Sequence, residues 1–277
     1  GLTMINNKFC ELFGNRVRKP DIDSLNIFHM DIAASIQAVI EEIILKITKK
    51  ISIDYKISNI CLSGGVALNC VSNSKILKSG FFKNIWIQPA SGDAGGALGC
   101  ALLLWYNELN QPRNLIDVSN MKGSFLGPKY ASNTIKNSLL KSGAIFEELN
   151  ESTILDLTAK ALSNEKTVGW FQGRMEFGPR SLGARSILAD ARSEKMQKNL
   201  NLKIKYRESF RPFAPAIIRE DLEQWFDLKI DSPYMLLTAN IKKELRKKIS
   251  KEDDRLFGIE KLNIKRSTIP AVTHIDY

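Results

Sequence analysis

Two pairs of segments in this 277-residue chain combine residue types that can hold phosphate. In LSGGVALNC (62–70) and QPASGDAGGALG (88–99), glycines stand where a strand would turn into a helix. Glycine lets backbone approach a ligand closely, and the free N–H groups at a helix start attract anions. Gly64 with Gly65, and Gly92 with Gly95 and Gly96, are therefore a candidate cradle for nucleotide phosphates. Asp93, between such turns, offers the hard oxygen atoms that a phosphate-bound cation takes. Asn69 is placed to hydrogen-bond a ribose or base. Any α/β protein needs glycine in tight turns, and Asp93 would also suit a helix N-cap. The pairing of two such turns favours a site over that plainer reading.

The second pair is GWFQGRMEFGPRSLGARSILAD (169–190) and KIKYRESFRPFAPAI (203–217). Arg174, Arg180, Arg185, Lys203, Lys205, Arg207 and Arg211 are interleaved there with glycines and aromatics. Guanidinium forks grip phosphate or carboxylate through paired hydrogen bonds, and glycine lets backbone amides join them. An amphipathic helix would not space arginines in this way. Some are expected only to pair with Glu176, Glu208 or Asp190, leaving the remainder for a concave anion pocket. The two histidines, His29 and His274, are far apart in sequence and read as ordinary polar or core residues. No Ser/His/Asp or Cys/His arrangement suggests covalent catalysis.

These residues need elements to position them. Apolar residues at Ile32, Ile36, Val39, Ile40, Ile43, Ile44 and Ile47 predict a helix over 31–49 with a packed face. A strand over 57–62, a helix through Val66, Leu68 and Ile76 to Gly80, a strand over 84–88 and a helix over 94–106 follow. That alternation implies a largely parallel sheet whose ligands sit at the carboxyl ends of the strands, where both glycine turns lie. The polar stretch 107–128 loses periodicity and places a domain boundary near residue 120. Beyond it, a helix over 153–165 opens on a Thr153-x-x-Asp156 pattern, and strands are expected over 167–172 and 186–189. A helix capped by Ser193 packs through Met196 and Leu200. Residues 213–218 read as a strand, at an edge or bulge because of Pro215. The mixed charges of 242–255 read as a solvated helix face.

The length allows two domains, and 44% hydrophobic with 25% charged residues is an ordinary globular composition. The uncharged run 94–106 is too short to span a bilayer, which needs about 20 apolar residues. The amino-terminal residues do not have the pattern of a signal peptide. Four cysteines, Cys10, Cys61, Cys70 and Cys100, lack paired spacing and read as reduced, mostly buried thiols in a cytoplasmic protein. A net charge of +10 favours anionic partners.

Taken with ELFGNRVRKP (11–20) and STIPAVTHID (267–276), these strings resemble the O-carbamoyltransferase family of the NodU/CmcH type. The resemblance implies an α/β chain: a partial actin/sugar-kinase-like domain over 1–120 that binds ATP and metal, then a YrdC-like domain over 121–277, truncated at its carboxyl end. It implies that carbamoyl phosphate and ATP form carbamoyl-adenylate, whose carbamoyl group passes to the hydroxyl of a small molecule or oligosaccharide. Gly64, Gly65, Asn69, Gly92 and Gly96 would contact the nucleotide. Asp93 would ligate a divalent metal, Fe(II) by resemblance, with Mg an alternative at the nucleotide. Arg174, Arg180, Arg185, Ser186, Lys205, Arg207 and Arg211 would hold carbamoyl phosphate, with Arg185, Lys205 and Arg207 closest to the chemistry. Family members run to roughly twice this length, with two metal-binding histidines in an amino-terminal part, so the chain is expected to be a fragment. A homodimer is compatible with this reading and a membrane partner is not. The alternatives are a basic RNA- or nucleotide-binding module, disfavoured because the basic residues lack an aromatic stacking platform, and an inactive remnant of such an enzyme.

Overall fold

The computed structural model describes residues 5–113 and 121–274. The chain forms two compact units, Gly1–Glu42 and Ile43–Tyr277. The boundary expected near residue 120 lies outside the described residues. Helix α1 (Asn7–Phe13) starts at Asn6, whose side chain accepts from Phe9 N, and stops at Gly14 with φ 65°. Helix α2 (Ile27–Tyr55) is longer at both ends than its apolar spacing indicated. Its expected packed face is a correction: Ile36, Val39, Ile43 and Ile47 are 42–55% exposed, whereas Glu41 and Thr48 are buried. Burial of those two is tolerated because their polar atoms are used along the helix itself. Thr48 Oγ1 donates to Ile44 O at 2.8 Å, and Glu41 Oε1 accepts from Gln37 Nε2 at 2.7 Å.

Strands β1 (Asn59–Leu62) and β2 (Asn84–Ile87) pair in parallel, with Leu62 opposite Ile87, as the alternating pattern required. The connection between them is not one helix from Val66. A single 3₁₀ turn (Gly65–Leu68) gives way at Asn69, ψ 90°, to helix α3 (Cys70–Ser79). Asn69 breaks the run because its Oδ1 caps α3, accepting from Ser72 N at 3.1 Å, and an N-cap needs extended backbone. Gly80 ends α3 at φ 70°, as its position indicated. Helix α4 (Asp93–Leu103) follows β2 and widens into a π turn over Leu104–Glu108.

The later part holds helices α5 (Ser132–Lys141), not anticipated from the sequence, and α6 (Glu151–Ser163). The cap of α6 is Asn150, accepting from Thr153 N at 2.9 Å, so Thr153 lies inside the helix. Strands β3 (Val168–Phe171) and β4 (Arg185–Leu188) pair antiparallel. Helix α7 (Met196–Asn199) continues as a π turn over Leu200–Ile204; Ser193 offers it only a backbone carbonyl, to Met196 N. Residues 213–218 make no ladder among the described residues. Pro215 has no N–H to give one. The charged stretch 242–255 is not one helix but two short turns, Lys243–Leu245 and Lys251–Asp254, split by an antiparallel bridge from Arg246 to Ser267.

Two small apolar clusters anchor these elements. Ala67, Ile87 and Leu236 pack with Leu62, Leu68, Ile85, Tyr234 and Leu237 beneath the parallel pair. Met196, Leu200 and Ala271 pack with Ala189 and Phe213. All four thiols are free, but the expected burial fails: Cys61 and Cys100 are exposed, Cys61 on the outward face of β1. No helix among the described residues is long and apolar enough to cross a membrane.

Buried Asn73 ties the first cluster together, donating from Nδ2 to Ala67 O at 2.8 Å and to Leu236 O at 3.1 Å. Asn73→Ala leaves both carbonyls unpaired, at a cost of about 2–4 kcal/mol. At about 2–4 °C per kcal/mol for chains near this size, the calorimetric melting temperature should fall by roughly 5–10 °C.

Candidate anion-binding site

Both glycine turns leave the carboxyl ends of the parallel strands, and Gln88 N extends the ladder to Leu62 O at 3.0 Å. Gly64, at φ 94° and ψ 160°, occupies backbone space that side-chain-bearing residues avoid, and it opens the 3₁₀ turn. At Gly64, Gly65 and Gly96 no atom lies within 4 Å of where a Cβ would stand, so the backbone there faces open space. Gly95 is different. A Cβ on it would lie 2.0 Å from Ala90 O, so this glycine seats α4 on the protein's own turn. Gly92 is the N-cap of α4, without a side-chain bond, and Asp93 is its first residue, exposed at the end where the helix dipole favours negative charge. Asn69 spends Oδ1 on capping α3 and stands before that helix, not one turn into it.

The arginine-bearing loop after β3 lies across these turns. Gly178, φ 124°, packs where a Cβ would come within 3.2 Å of Pro89 O and 3.3 Å of Ala90 Cα. Two residues on, Arg180 Nη2 donates to Leu68 O at 3.4 Å, while its Nε is buried with no hydrogen-bond partner. Phe177–Arg180 thus touches both glycine turns, from more than eighty residues away in sequence. The loop is held from its other side by Ser124, whose backbone O accepts from Phe177 N at 2.7 Å and whose Oγ donates to Phe177 O at 3.2 Å. Arg174 Nη1 donates to Gly127 O at 3.0 Å.

Arg185 lies flat over Phe171, its Cζ 3.4 Å from the ring centroid, and donates to the carbonyls of Gln172, Ala184 and Gly173. Ser186 Oγ accepts from Gly183 N at 2.9 Å and braces the same turn. Glu176 does not pair with an arginine. Its buried Oε1 accepts from the backbone N–H groups of Leu182 (2.7 Å), Ala184 (2.8 Å) and Arg185 (3.3 Å). Burial raises this carboxyl's pKa, but backbone donors outweigh it and hold the group below the ordinary glutamate value.

Lys203 lies in the π turn Leu200–Ile204, and Lys205, Arg207 and Arg211 stand on the loop that follows it. As cations they cannot bond directly to Arg174, Arg180 or Arg185. The link is through packing: Phe213, under Arg207 at 5.0 Å from Cζ to centroid, lines a small cleft with Ile187 and Ala189, next to β4. Arg207 is half-buried and its Nε donates to Asn201 Oδ1 at 2.7 Å. Asn201, fully buried, also donates to Ser209 O and Arg211 O, so one amide sets the shape of the loop. Burial, and then the charge of Arg211, lower the basicity of Arg207, with Glu208 opposing them. Arg211 pairs with Glu208 at 3.1 Å, and Asp190 pairs with Arg192 instead of any candidate. Lys203 and Lys205 are exposed.

Among the described residues, the only one of the expected acid pairings present is that of Arg211 with Glu208. Sequence reading assigned Glu176 a different partner and did not single out Asn201; these are the two buried groups that shape the loops. The available signal was a single acid within a basic, glycine-rich segment, and an amide between two leucines. Among the described residues no three His, Cys, Asp or Glu side chains are grouped to hold a metal. Asp93 offers one carboxylate ligand, and holding a metal takes others beside it.

Fold and site together define an α/β chain in which an arginine-bearing loop closes over paired glycine turns. Residues 1–102 match the family model for the carbamoyltransferase N-terminus and residues 159–277 that for the carbamoyltransferase C-terminus. An uncharacterized protein of Synechocystis is 49% identical over 278 residues, covering 100% of this chain and 45% of that protein. The nodulation protein NolNO of Sinorhizobium fredii is 35% identical over 254 residues, 90% of this chain and 34% of its own length. The nodulation protein NolO of Bradyrhizobium diazoefficiens is 36% identical over 251 residues, 90% of this chain and 42% of its own. The chain belongs to the carbamoyltransferase family and spans less than half the length of these relatives.

Proposed function

We propose that this chain carries the nucleotide and carbamoyl phosphate sites of an O-carbamoyltransferase, within an actin/sugar-kinase-like part over 1–120 and a YrdC-like part over 121–277. The observation that carries the reading is Arg207. Its Nε is fixed by Asn201, its face is stacked on Phe213, and its terminal nitrogens donate to no carboxylate among the described residues. A half-buried cation held in this way is set to bind an anion. Lys205 and Arg185 add charge around the same donor, with Arg174, Arg180, Ser186 and Arg211 on the flanking loops. The open backbone at Gly64, Gly65 and Gly96, with Gly92 and Asn69 beside it, receives ATP.

In this reading water splits carbamoyl phosphate into carbamate and inorganic phosphate. A carbamate oxygen then bonds to the α-phosphorus of ATP as the bond from that phosphorus to the bridging oxygen breaks, giving carbamoyl-adenylate and releasing pyrophosphate. The acceptor hydroxyl oxygen then bonds to the carbamoyl carbon, and the bond from that carbon to the AMP oxygen breaks. AMP leaves with the electron pair and the hydroxyl gives up its proton. The arginines hold the phosphate charge, and the loop over the glycine turns keeps water from the mixed anhydride. No step here passes through a metal, for which the described residues supply Asp93 alone. The acceptor in this reading is a hydroxyl of a small molecule or oligosaccharide, as the family resemblance implies.

Isothermal titration of the chain with carbamoyl phosphate, ATP and a short RNA tests the proposal. Binding of the first two is expected, with RNA giving no salt-dependent heat. RNA binding that weakens steeply with salt, with silence toward both small ligands, would replace it. Helix α4 supplies an internal control. Gly96→Ala and Gly99→Ala both add a Cβ in open space and should each raise stability by up to about 1 kcal/mol. Only Gly96→Ala should weaken ATP binding.

A further inference from the structure

We infer that Glu176 is a positioning residue for the carbamoyl donor: its carboxylate is the template on which the Gly178–Arg185 loop is folded, and so it sets where Arg180 and Arg185 present their guanidiniums. The inference rests on the proposed reading that this loop grips carbamoyl phosphate. One oxygen atom gathers three amides from Leu182, Ala184 and Arg185, closing residues 176–185 into a ring. The segment inside that ring departs from regular structure twice, at Gly178 (φ 124°) and Gly183 (φ 105°). Its amides cannot satisfy one another, so a buried acceptor must do so. Gly183 N, between the amides of Leu182 and Ala184, is taken by Ser186 Oγ.

The choice of an acid follows from what the loop carries. Arg174, Arg180 and Arg185 lie within one twelve-residue stretch with no ion pair among the described residues, their guanidiniums bonded to carbonyls. A negative charge 8% exposed at the centre of the turn offsets their mutual repulsion without occupying any guanidinium. An aspartate or glutamate reaching the arginines directly would consume the groups meant for the ligand. Glu176 instead spends its charge on backbone N–H groups and engages no guanidinium. Depression of its pKa below the ordinary value agrees with an ionised acceptor at neutral pH.

The test compares Glu176→Gln and Glu176→Ala with the unaltered chain in titrations with carbamoyl phosphate and, separately, ATP. Glutamine keeps the shape and one acceptor oxygen but loses the charge. A neutral acceptor in place of a charged one should weaken carbamoyl phosphate binding roughly tenfold, and alanine at least roughly a hundredfold. ATP affinity should stay within about threefold of the unaltered chain in the glutamine variant, since the glycine turns keep their own backbone bonds. Amide exchange at Leu182, Ala184 and Arg185 should quicken in the order Glu, Gln, Ala. Unchanged carbamoyl phosphate affinity in Glu176→Gln alongside faster exchange at those amides would overturn the inference, because the loop would have loosened without consequence. Unchanged exchange would overturn it as well. If the unaltered chain bound no carbamoyl phosphate, the proposed function would fail first, and the exchange result would still decide whether Glu176 templates the loop.

Discussion

Arg207→Ala is expected to weaken carbamoyl phosphate binding by about a hundredfold or more while leaving the protein folded. Charge-assisted hydrogen bonds contribute about 1.5–3 kcal/mol each, and two terminal guanidinium nitrogens are available to one anion. Each 1.4 kcal/mol is tenfold in affinity. The fold loses less. The side chain's bond to Asn201 Oδ1 and its stacking on Phe213 go, but Arg207 N still donates to Asn201 O at 2.9 Å. Melting should fall by only a few degrees, on the order of 1–2 kcal/mol. Titration calorimetry and thermal melts on the same preparation separate the two effects. Arg207→Lys keeps the charge without the planar fork and should recover no more than about a tenth of the affinity. Wild-type affinity in the alanine variant would remove this residue from the site.

Gly178→Ala should act at the junction of the arginine loop and the second glycine turn. A φ of 124° is strained for any L side chain, at about 1–3 kcal/mol. The new Cβ would also stand 3.2–3.3 Å from Pro89 O, Ala90 Cα and Ala90 Cβ, and two of those atoms are backbone that must shift as a unit. The melting temperature should drop by roughly 5 °C or more. Arg180 should lose its bond to Leu68 O, and both ATP and carbamoyl phosphate should bind more weakly. Loss of both ligands together distinguishes this variant from Arg207→Ala, which should spare ATP. A protein with unchanged melting and unchanged binding would show that the loop does not rest on Ala90.

Much of the first part was legible because its signals are local. Gly64 and Gly80 mark a turn and a helix end by backbone freedom alone, and the apolar runs at Asn59–Leu62 and Asn84–Ile87 alternate as half-buried strands do. Errors arose where a local preference competed with an equally local rival. The apolar spacing runs a helix through Asn69, which instead caps α3, and the Thr153-x-x-Asp156 pattern marks a start that Asn150 takes three residues earlier. Other errors came from partners far away in sequence. Ser267 bridges Arg246 and breaks the charged stretch. Glu176, expected to neutralise an arginine, is engaged by backbone N–H groups of a turn whose shape could not be read in advance.

By itself, then, the sequence determined the residue types and their order: two glycine turns after parallel strands, an arginine-rich loop, and a family resemblance in the strings that carry them. Only the tertiary structure decided that Phe177–Arg180 crosses both turns, that Arg207 is held by an amide and not an acid, and that Gly95 serves packing while Gly96 faces open space. The physical reason is range. Backbone conformation is set by neighbours within a few residues, whereas the state of a charged group depends on which distant atoms fold against it and how much water they displace.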